Sequence, residues 1–170
     1  EAGHECTGID IDNKLGYPFN FIQADLTDWK PDKHYDIVLA SPPCTNFSKT
    51  VMNWTGKTNE MKGLDLVWRT FALIQEIKPK YYVIENVKGL SEFIDKPNDI
   101  VRYGRSSHRK AAYLWSNIGK LGMLESMIIK NTNRKTFKTS DPELAKIPYE
   151  LSYLVMKKIE QLELEQVKEP

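Results

Sequence analysis

The segment YDIVLASPPC, residues 35–44, contains the pattern on which the predicted fold depends. Its central part carries no charge from Ile37 to Ala40, which is typical of a parallel β-strand that is covered on both faces. Pro42 and Pro43 then end the strand, because each proline fixes φ and lacks an N–H donor. The pattern predicts a buried strand with Cys44 held just beyond its carboxyl end.

Short apolar runs and helical patterns alternate on both sides of this stretch. Helical spacing of apolar residues predicts a helix over residues 64–77, ended by Lys78 and Pro79. Alternation of strands with helices favours an α/β fold with a doubly wound, mostly parallel sheet. The other predicted strands are CTGIDID (residues 6–12), FIQAD (21–25), YYVIENV (81–87) and AAYLWSN (111–117), and a last helix carries Leu151, Leu154, Val155, Ile159 and Leu162 on one side.

Composition limits the class of protein. A chain of 170 residues with 41% apolar and 28% charged residues is typical of one globular domain. The net charge of +1 excludes a protein that binds nucleic acid over its whole surface, but permits one basic face. The two cysteines show no metal-ligand spacing, and we find no signal peptide or long apolar run. We expect a soluble intracellular protein without a metal.

Polar side chains follow the predicted strands, where ligands bind in open α/β sheets. Asp10 is placed to accept hydrogen bonds from a ribose diol, or to be a solvated carboxylate at a strand end or a helix N-cap. Asp25 is placed to accept from an adenine amino group, or to cap the next turn. Together they favour an adenosine-containing ligand.

Two further strand-end residues suggest chemistry. Glu85 leaves a run that should be buried on both faces, so we expect a raised pKa and a general acid or hydrogen-bond donor. The alternative is a structural carboxylate with a partner. Cys44 suits a nucleophile, which must react as the thiolate, although a cysteine after proline is also compatible with an inert thiol.

These residues carry a resemblance to a known family. The Pro43-Cys44 pair, with Phe47 and Ser48 following, and the triplet ENV at residues 85–87 resemble motifs of the C5-cytosine DNA methyltransferases, in particular the short phage-type members. The segments DID (10–12) and DL (25–26) resemble the cofactor motifs. The segment YGRSSHRKAAYLWSN (103–117) is similar to a phage-type segment and makes Arg109 the counterpart of an active-site arginine.

The resemblance implies a Rossmann-like, S-adenosylmethionine-dependent methyltransferase fold whose glycine-rich first strand would precede Glu1. It implies S-adenosylmethionine as cofactor, with no metal, and double-stranded DNA with a flipped cytosine as partner. It also implies a monomer without membrane contact, in the cytoplasm of a prokaryotic or phage-infected cell, and a part in restriction and modification. The implied catalytic residues are Cys44, Glu85 and Arg109, and the implied cofactor-binding residues are Asp10, Ile11, Asp25, Leu26 and Pro43.

Residues 46–63 resemble the family's mobile catalytic loop, in which Trp54 would stack in DNA or simply pack. Domain bounds follow as a catalytic core at 1–117, a reduced target-recognition region at 118–146 and a C-terminal helix at 147–170. So small a recognition region predicts a short recognition site or weak specificity. The expected DNA contacts are Ser48, Lys49, Arg105 and Lys110, with Arg102, His108, Lys130, Arg134, Lys135 and Lys138 as further members of a basic face.

Three other interpretations of the function remain open. SPPC (residues 41–44) also resembles the Ser-Pro-Pro-aromatic motif of exocyclic-amino methyltransferases, although a cysteine stacks badly on a base. The transfer-RNA branch of the same family keeps the DNA-type motifs. The third interpretation is a DNA-binding methyltransferase remnant without activity.

Overall fold

The computed structural model describes residues 3–13, 16–48, 60–103, 110–121 and 149–168. The chain divides into two compact units, Glu1–Tyr82 and Val83–Pro170. The predicted domain bounds at 117 and 146 fall elsewhere in the chain and stay a prediction.

The first unit contains a pair of parallel strands. Strand β1 (Thr7–Asp10) pairs with β2 (Asn20–Gln23) so that Asp10 lies opposite Gln23. Both strands were predicted, but β1 ends at Asp10, and Ile11 lies beyond it rather than inside a longer strand. The backbone N–H of Ala24 donates to the carbonyl of Asp10 at 3.0 Å, which carries the pairing past the end of β2.

The strand predicted within residues 35–44 and the helix after it also form. Strand β3 is Ile37–Ala40 and helix α1 is Glu60–Ile77. The predicted apolar face is confirmed, because Val67, Leu73, Ile74 and Ile77 are buried. The predicted end of the helix is also confirmed: Lys78 takes a left-handed φ of 51°, and Pro79 cannot continue the helix.

Helix α1 begins earlier than the sequence suggested. Its first turn includes Glu60–Gly63, which the resemblance had assigned to a mobile loop over residues 46–63. That assignment was wrong for the last four residues of the range. Residues 49–59, including Trp54, lie outside the described part of the chain.

Strand β4 (Tyr81–Asn86) begins in the first unit and continues into the second. Within the first unit, the backbone N–H of Tyr81 donates to the carbonyl of Asp36 at 3.0 Å, directly before β3. Along the strand, Val83, Ile84 and Asn86 are buried. The strand therefore has the buried character that the sequence YYVIEN predicted.

The second unit contains antiparallel pairs. Strand β6 (Lys110–Ser116) pairs with β4 on one side and with β5 (Asp99–Tyr103) on the other. The sequence did not predict β5, because residues 91–107 are polar and rich in turn formers. Its pairing is supported by Asn98, whose Oδ1 accepts from the Ser116 N–H at 2.6 Å.

These pairs make the protein an α/β structure with mixed sheets, as far as the described strands go. A doubly wound, mostly parallel sheet stays a prediction. The C-terminal helix α2 (Tyr149–Gln166) buries Leu151, Leu154, Val155 and Ile159, which confirms the predicted apolar side. Neither described α-helix has the length and apolar character needed to span a bilayer.

Candidate active site

Cys44 lies in a turn beyond the carboxyl end of β3. Pro42 is buried and Pro43 is exposed, and Cys44 itself is half-buried and free of any disulfide. The backbone N–H of Phe47 donates to the Cys44 carbonyl at 3.0 Å and closes the turn. The predicted position of the thiol at a strand end is therefore confirmed.

The Cys44 turn rests on helix α1 through Phe47, which is only 4% exposed. A Cβ atom built on Gly63 would lie 2.7 Å from Cζ of Phe47 and 2.8 Å from Cβ of Asn46. Real Cβ atoms essentially never approach so closely, so a glycine at this position permits the contact. Sequence reasoning missed this contact, because Gly63 precedes the helix predicted over residues 64–77.

The residues expected to bind a ribose lie at the end of β1. Asp10 is exposed, and its Oδ1 accepts from the backbone N–H of Asp12 at 3.1 Å. Ile11 is 64% exposed, and its carbonyl accepts from Nε2 of Gln23 at 3.2 Å. Asp10 is thus an exposed carboxylate at a strand end, as the alternative expected, while a contact with ribose stays a prediction.

Asp25 follows β2 and also caps a turn. Its Oδ1 accepts from the backbone N–H of Thr27 at 2.9 Å and from the Thr27 hydroxyl at 2.7 Å. These two bonds hold the pKa of Asp25 below its usual value, with the backbone bond as the larger cause. The carboxylate is fully exposed to solvent in this turn, so it is ionised and accessible at neutral pH.

Arg69 of α1 fixes the segment that follows Asp25. Its Nε donates to the carbonyl of Leu26 at 3.1 Å, and its terminal nitrogens bond the carbonyl of Trp29 and the carboxylate of Glu76. The planar guanidinium suits this fork of acceptors better than a lysine would. Sequence reasoning missed Arg69, because 43 positions separate it from Leu26. The available signal was a positively charged residue on α1 between two positions, Val67 and Thr70, that are buried, because such a cation needs acceptors nearby.

Glu85 lies in the second unit, near the end of β4. It is half-buried between Ile84 and Asn86, both 0% exposed, and it lies opposite Leu114 of the antiparallel strand β6. The Asn86 Oδ1 accepts from the Val87 N–H at 2.9 Å, which fixes the strand end. The predicted position of Glu85 near a strand end is confirmed, whereas its raised pKa and its function as a proton donor stay predictions.

Comparison with known proteins decides the family. Residues 11–100, more than half of the chain, match the family model described as C-5 cytosine-specific DNA methylase. The chain belongs to this family. A probable DNA (cytosine-5)-methyltransferase of Frog virus 3 (isolate Goorha) is 32% identical over 133 residues. That match covers 68% of this chain and 61% of the viral protein, so the chain spans less than two thirds of its relative.

Members of the cytosine-5 methylase family have a Rossmann-like fold and use S-adenosylmethionine as methyl donor. The described residues fit an adenosine group. Asp10 ends β1, Asp25 follows the neighbouring parallel strand β2, and both present carboxylate oxygens, the acceptors that ribose hydroxyls and an adenine amine require. Ile11 adds an exposed apolar surface against which a purine ring can lie.

Several expected site residues of this methylase-family chain lie outside the described part, among them Arg109, Arg105 and Lys49. Ser48 is half-buried directly after Phe47, and only the backbone of Lys110 is described, paired with Tyr103. Among the described residues, His, Cys, Asp and Glu form no group suited to a metal ion. The other expected basic residues are Arg102, which is exposed on β5, and His108, Lys130, Arg134, Lys135 and Lys138, which lie outside the described residues.

Proposed function

We propose that this protein transfers a methyl group from S-adenosylmethionine to C5 of cytosine in double-stranded DNA, through a covalent bond between Cys44 and C6. One observation carries the proposal. In a chain of the cytosine-5 methylase family, a half-buried cysteine that forms no disulfide is held by two prolines and a closed turn beyond the end of β3. The match to a probable DNA (cytosine-5)-methyltransferase supports DNA as the substrate.

Five residues would hold the cofactor. Asp10 would accept from the ribose hydroxyls, Asp25 from the adenine amine, and Ile11, Leu26 and Pro43 would form the surrounding surface. When bound, S-adenosylmethionine supplies a methyl group on a positively charged sulfur, which makes that carbon electrophilic. The ionised state of Asp25 is favourable here, because a carboxylate is a stronger acceptor than a carboxylic acid.

The first chemical step activates the ring. Cytosine C5 is too weak a nucleophile to react alone, so the Cys44 thiolate adds to C6 and forms a sulfur–carbon bond. The electron pair of the C5–C6 double bond becomes available at C5 as part of an enamine. Glu85 donates a proton at N3, and Arg109 stabilises the developing negative charge near O2.

The second step returns the enzyme to its starting state. S-adenosylmethionine, held by Asp10, Asp25 and their apolar neighbours, would supply the methyl group to C5, with the electron pair of the broken carbon–sulfur bond remaining on its sulfur. The C5 proton passes to a base, the double bond reforms, the C6–sulfur bond breaks and the thiolate leaves. Glu85 recovers its proton from N3. Because C6 is covered inside a duplex, the cytosine must be flipped out.

Further parts of the proposal rest on the family. The proposed fold is a doubly wound, mostly parallel sheet with a catalytic core over 1–117, target recognition over 118–146 and a supporting helix over 147–170. DNA would lie on Ser48, Lys49, Arg105 and Lys110. We propose a monomer that acts in the cytoplasm of a prokaryotic or virus-infected cell, in a restriction-modification setting.

The test is a trapping experiment with the polypeptide as its gene encodes it, including any residues beyond 1–170. Protein, S-adenosylmethionine and a duplex containing 5-fluorocytosine are mixed, and the mass of the protein–DNA adduct is measured. Fluorine at C5 blocks the elimination step, so an adduct should accumulate. Cys44→Ser should abolish it, while Cys6→Ser, which removes the other thiol, should leave it intact.

Other outcomes would point elsewhere. Methyl transfer without an adduct would overturn the cysteine mechanism and favour an exocyclic-amino methyltransferase. Trapping on RNA alone would replace DNA as substrate. DNA binding without transfer or adduct would mean that the protein is a binding remnant.

A further inference from the structure

Gly63 occupies an unfavourable position for a glycine. It is the fourth residue of α1, where glycine is a poor helix former compared with alanine. Its backbone is helical, so the conformational freedom of glycine is not used there; the described glycines with positive φ are Gly3, Gly16 and Gly119. The explanation therefore has to lie in what approaches it.

What approaches Gly63 is the segment after the proposed nucleophile. The Phe47 ring and the Asn46 Cβ lie where a side chain at 63 would begin, at 2.7 and 2.8 Å from the position of a Cβ. The ring could turn aside, but Cβ of Asn46 is fixed to its backbone. A side chain at 63 would therefore have to displace the main chain around Asn46.

That main chain is part of the turn that holds Cys44. The Phe47 N–H bonds the Cys44 carbonyl at 3.0 Å, and Phe47 is buried. The helix surface, the ring and the turn thus form a continuous set of contacts from Gly63 to Cys44. Packed interiors transmit small displacements rather than absorbing them.

We propose that Gly63 is a positioning residue for Cys44. Because it has no side chain, Phe47 and Asn46 pack directly against α1, and this contact sets the position of the thiol. The inference rests on the proposed function for the importance of that thiol. Gly63 itself touches neither cofactor nor base. Its contribution acts through the Cys44 turn.

The informative variant is Gly63→Ala. Alanine favours the helix, so α1 should be preserved, while its methyl group pushes the Cys44 turn away. A misplacement near 1 Å can lower a rate on the order of 10²-fold, and we expect adduct formation on the 5-fluorocytosine duplex to slow by about that factor. Met61→Ala, at a position 73% exposed on the same helix, is the matched control and should leave the rate unchanged.

A second measurement needs neither DNA nor cofactor. The rates at which iodoacetamide alkylates Cys44 and Cys6 are followed by mass in the same sample, with Cys6 as the internal reference. Both cysteines are half-buried and form no disulfide. Gly63→Ala should change the Cys44 to Cys6 ratio several-fold, since only Cys44 lies in the displaced turn, and circular dichroism should show that the helix content is retained.

A double variant separates positioning from damage. Leucine at 47 lacks the ring atoms that a new Cβ at 63 would meet at 2.7 and 3.0 Å. Phe47→Leu combined with Gly63→Ala should therefore recover part of the adduct rate lost in Gly63→Ala alone. Recovery should be incomplete, because Asn46 remains close.

Each result decides something. If wild type and Gly63→Ala trap DNA equally fast, with equal alkylation ratios, the positioning proposal is wrong. If wild-type protein forms no adduct, the proposed function fails, and the alkylation ratio alone then decides whether Gly63 sets the Cys44 turn: a shift supports it and no shift overturns it. A Gly63→Ala protein that loses its helix would also overturn it.

Discussion

At the scale of single residues, Asp25 gives the most direct link between local geometry and pH. Its pKa is lowered by the backbone N–H of Thr27 first and by the Thr27 hydroxyl second. A carboxyl with a depressed pKa in the folded state stabilises the fold above the unfolded value, about 3.9, and loses that contribution as pH falls through the folded value. Between about pH 5 and 8, Asp25 should therefore stay ionised.

Thr27→Val should raise the pKa of Asp25 part of the way towards its usual value. Valine removes the hydroxyl bond of 2.7 Å but keeps the larger contribution, the backbone N–H bond of 2.9 Å. The measurement is a carbon NMR titration of the Asp25 carboxyl in both proteins, with Thr45→Val as a control in an unrelated exposed turn. An unchanged or lower pKa in Thr27→Val would contradict the assigned cause.

At the scale of elements, helix α1 supports two parts of the proposed site within the first unit. Gly63 contacts the Cys44 turn. Arg69 donates hydrogen bonds to the carbonyls of Leu26 and Trp29, which follow Asp25, the proposed adenine acceptor. The Arg69 side chain is about 20% exposed and is oriented by Glu76 at 2.9 Å. The helix thus contacts the nucleophile segment and the cofactor segment with different residues.

Arg69→Met should lower both stability and cofactor affinity. Hydrogen bonds to a charged donor contribute about 1.5–3 kcal/mol, so the unfolding free energy from a urea titration should fall by about 2 kcal/mol. Titration calorimetry should show S-adenosylmethionine binding roughly tenfold weaker, as expected for a loss near 1.4 kcal/mol.

Two controls separate the effects of Arg69. Arg69→Lys should behave more like Arg69→Met than like wild type, because an ammonium lacks the planar fork. Glu76→Gln, which keeps an acceptor near Arg69, should bind the cofactor almost normally. Lower stability with unchanged cofactor affinity would show that Arg69 supports the fold alone.

Elements also show what the sequence can predict and what it cannot. The charge-free run of β3, the periodic face of α1 and the prolines before Cys44 act locally, so the sequence predicted them. Strand β5 and the Arg69 fork depend on partners distant in sequence: β5 forms against β6, and Arg69 reaches Leu26 across 43 positions. The contact of Gly63 also depends on distant partners, because the sequence placed Gly63 before the predicted helix and gave no sign of Asn46 and Phe47 beside it.

At the scale of the whole molecule, a net charge of +1 leaves little general attraction to DNA. On the proposed function, DNA binding comes from a few local phosphate contacts, and Lys49, Arg105 and Lys110 are the proposed ones. Each neutralised phosphate adds about −0.9 to the slope of log K against log salt concentration, so three contacts predict a slope near −3. A protein with a large basic surface would show a much steeper dependence.

Replacing the proposed contacts singly tests this arrangement. Lys49→Gln, Arg105→Gln and Lys110→Gln should each make the salt slope shallower by about 0.9 and weaken binding to all duplexes alike, because phosphates carry no sequence information. The measurement is fluorescence anisotropy on two duplexes of unrelated sequence at several salt concentrations. Lys157→Gln is the control, since Lys157 lies on α2 and pairs with Glu160 at 2.6 Å; its slope should match wild type. If the control lowered the slope as much as the three variants did, DNA attraction would depend on overall charge rather than on the proposed contacts.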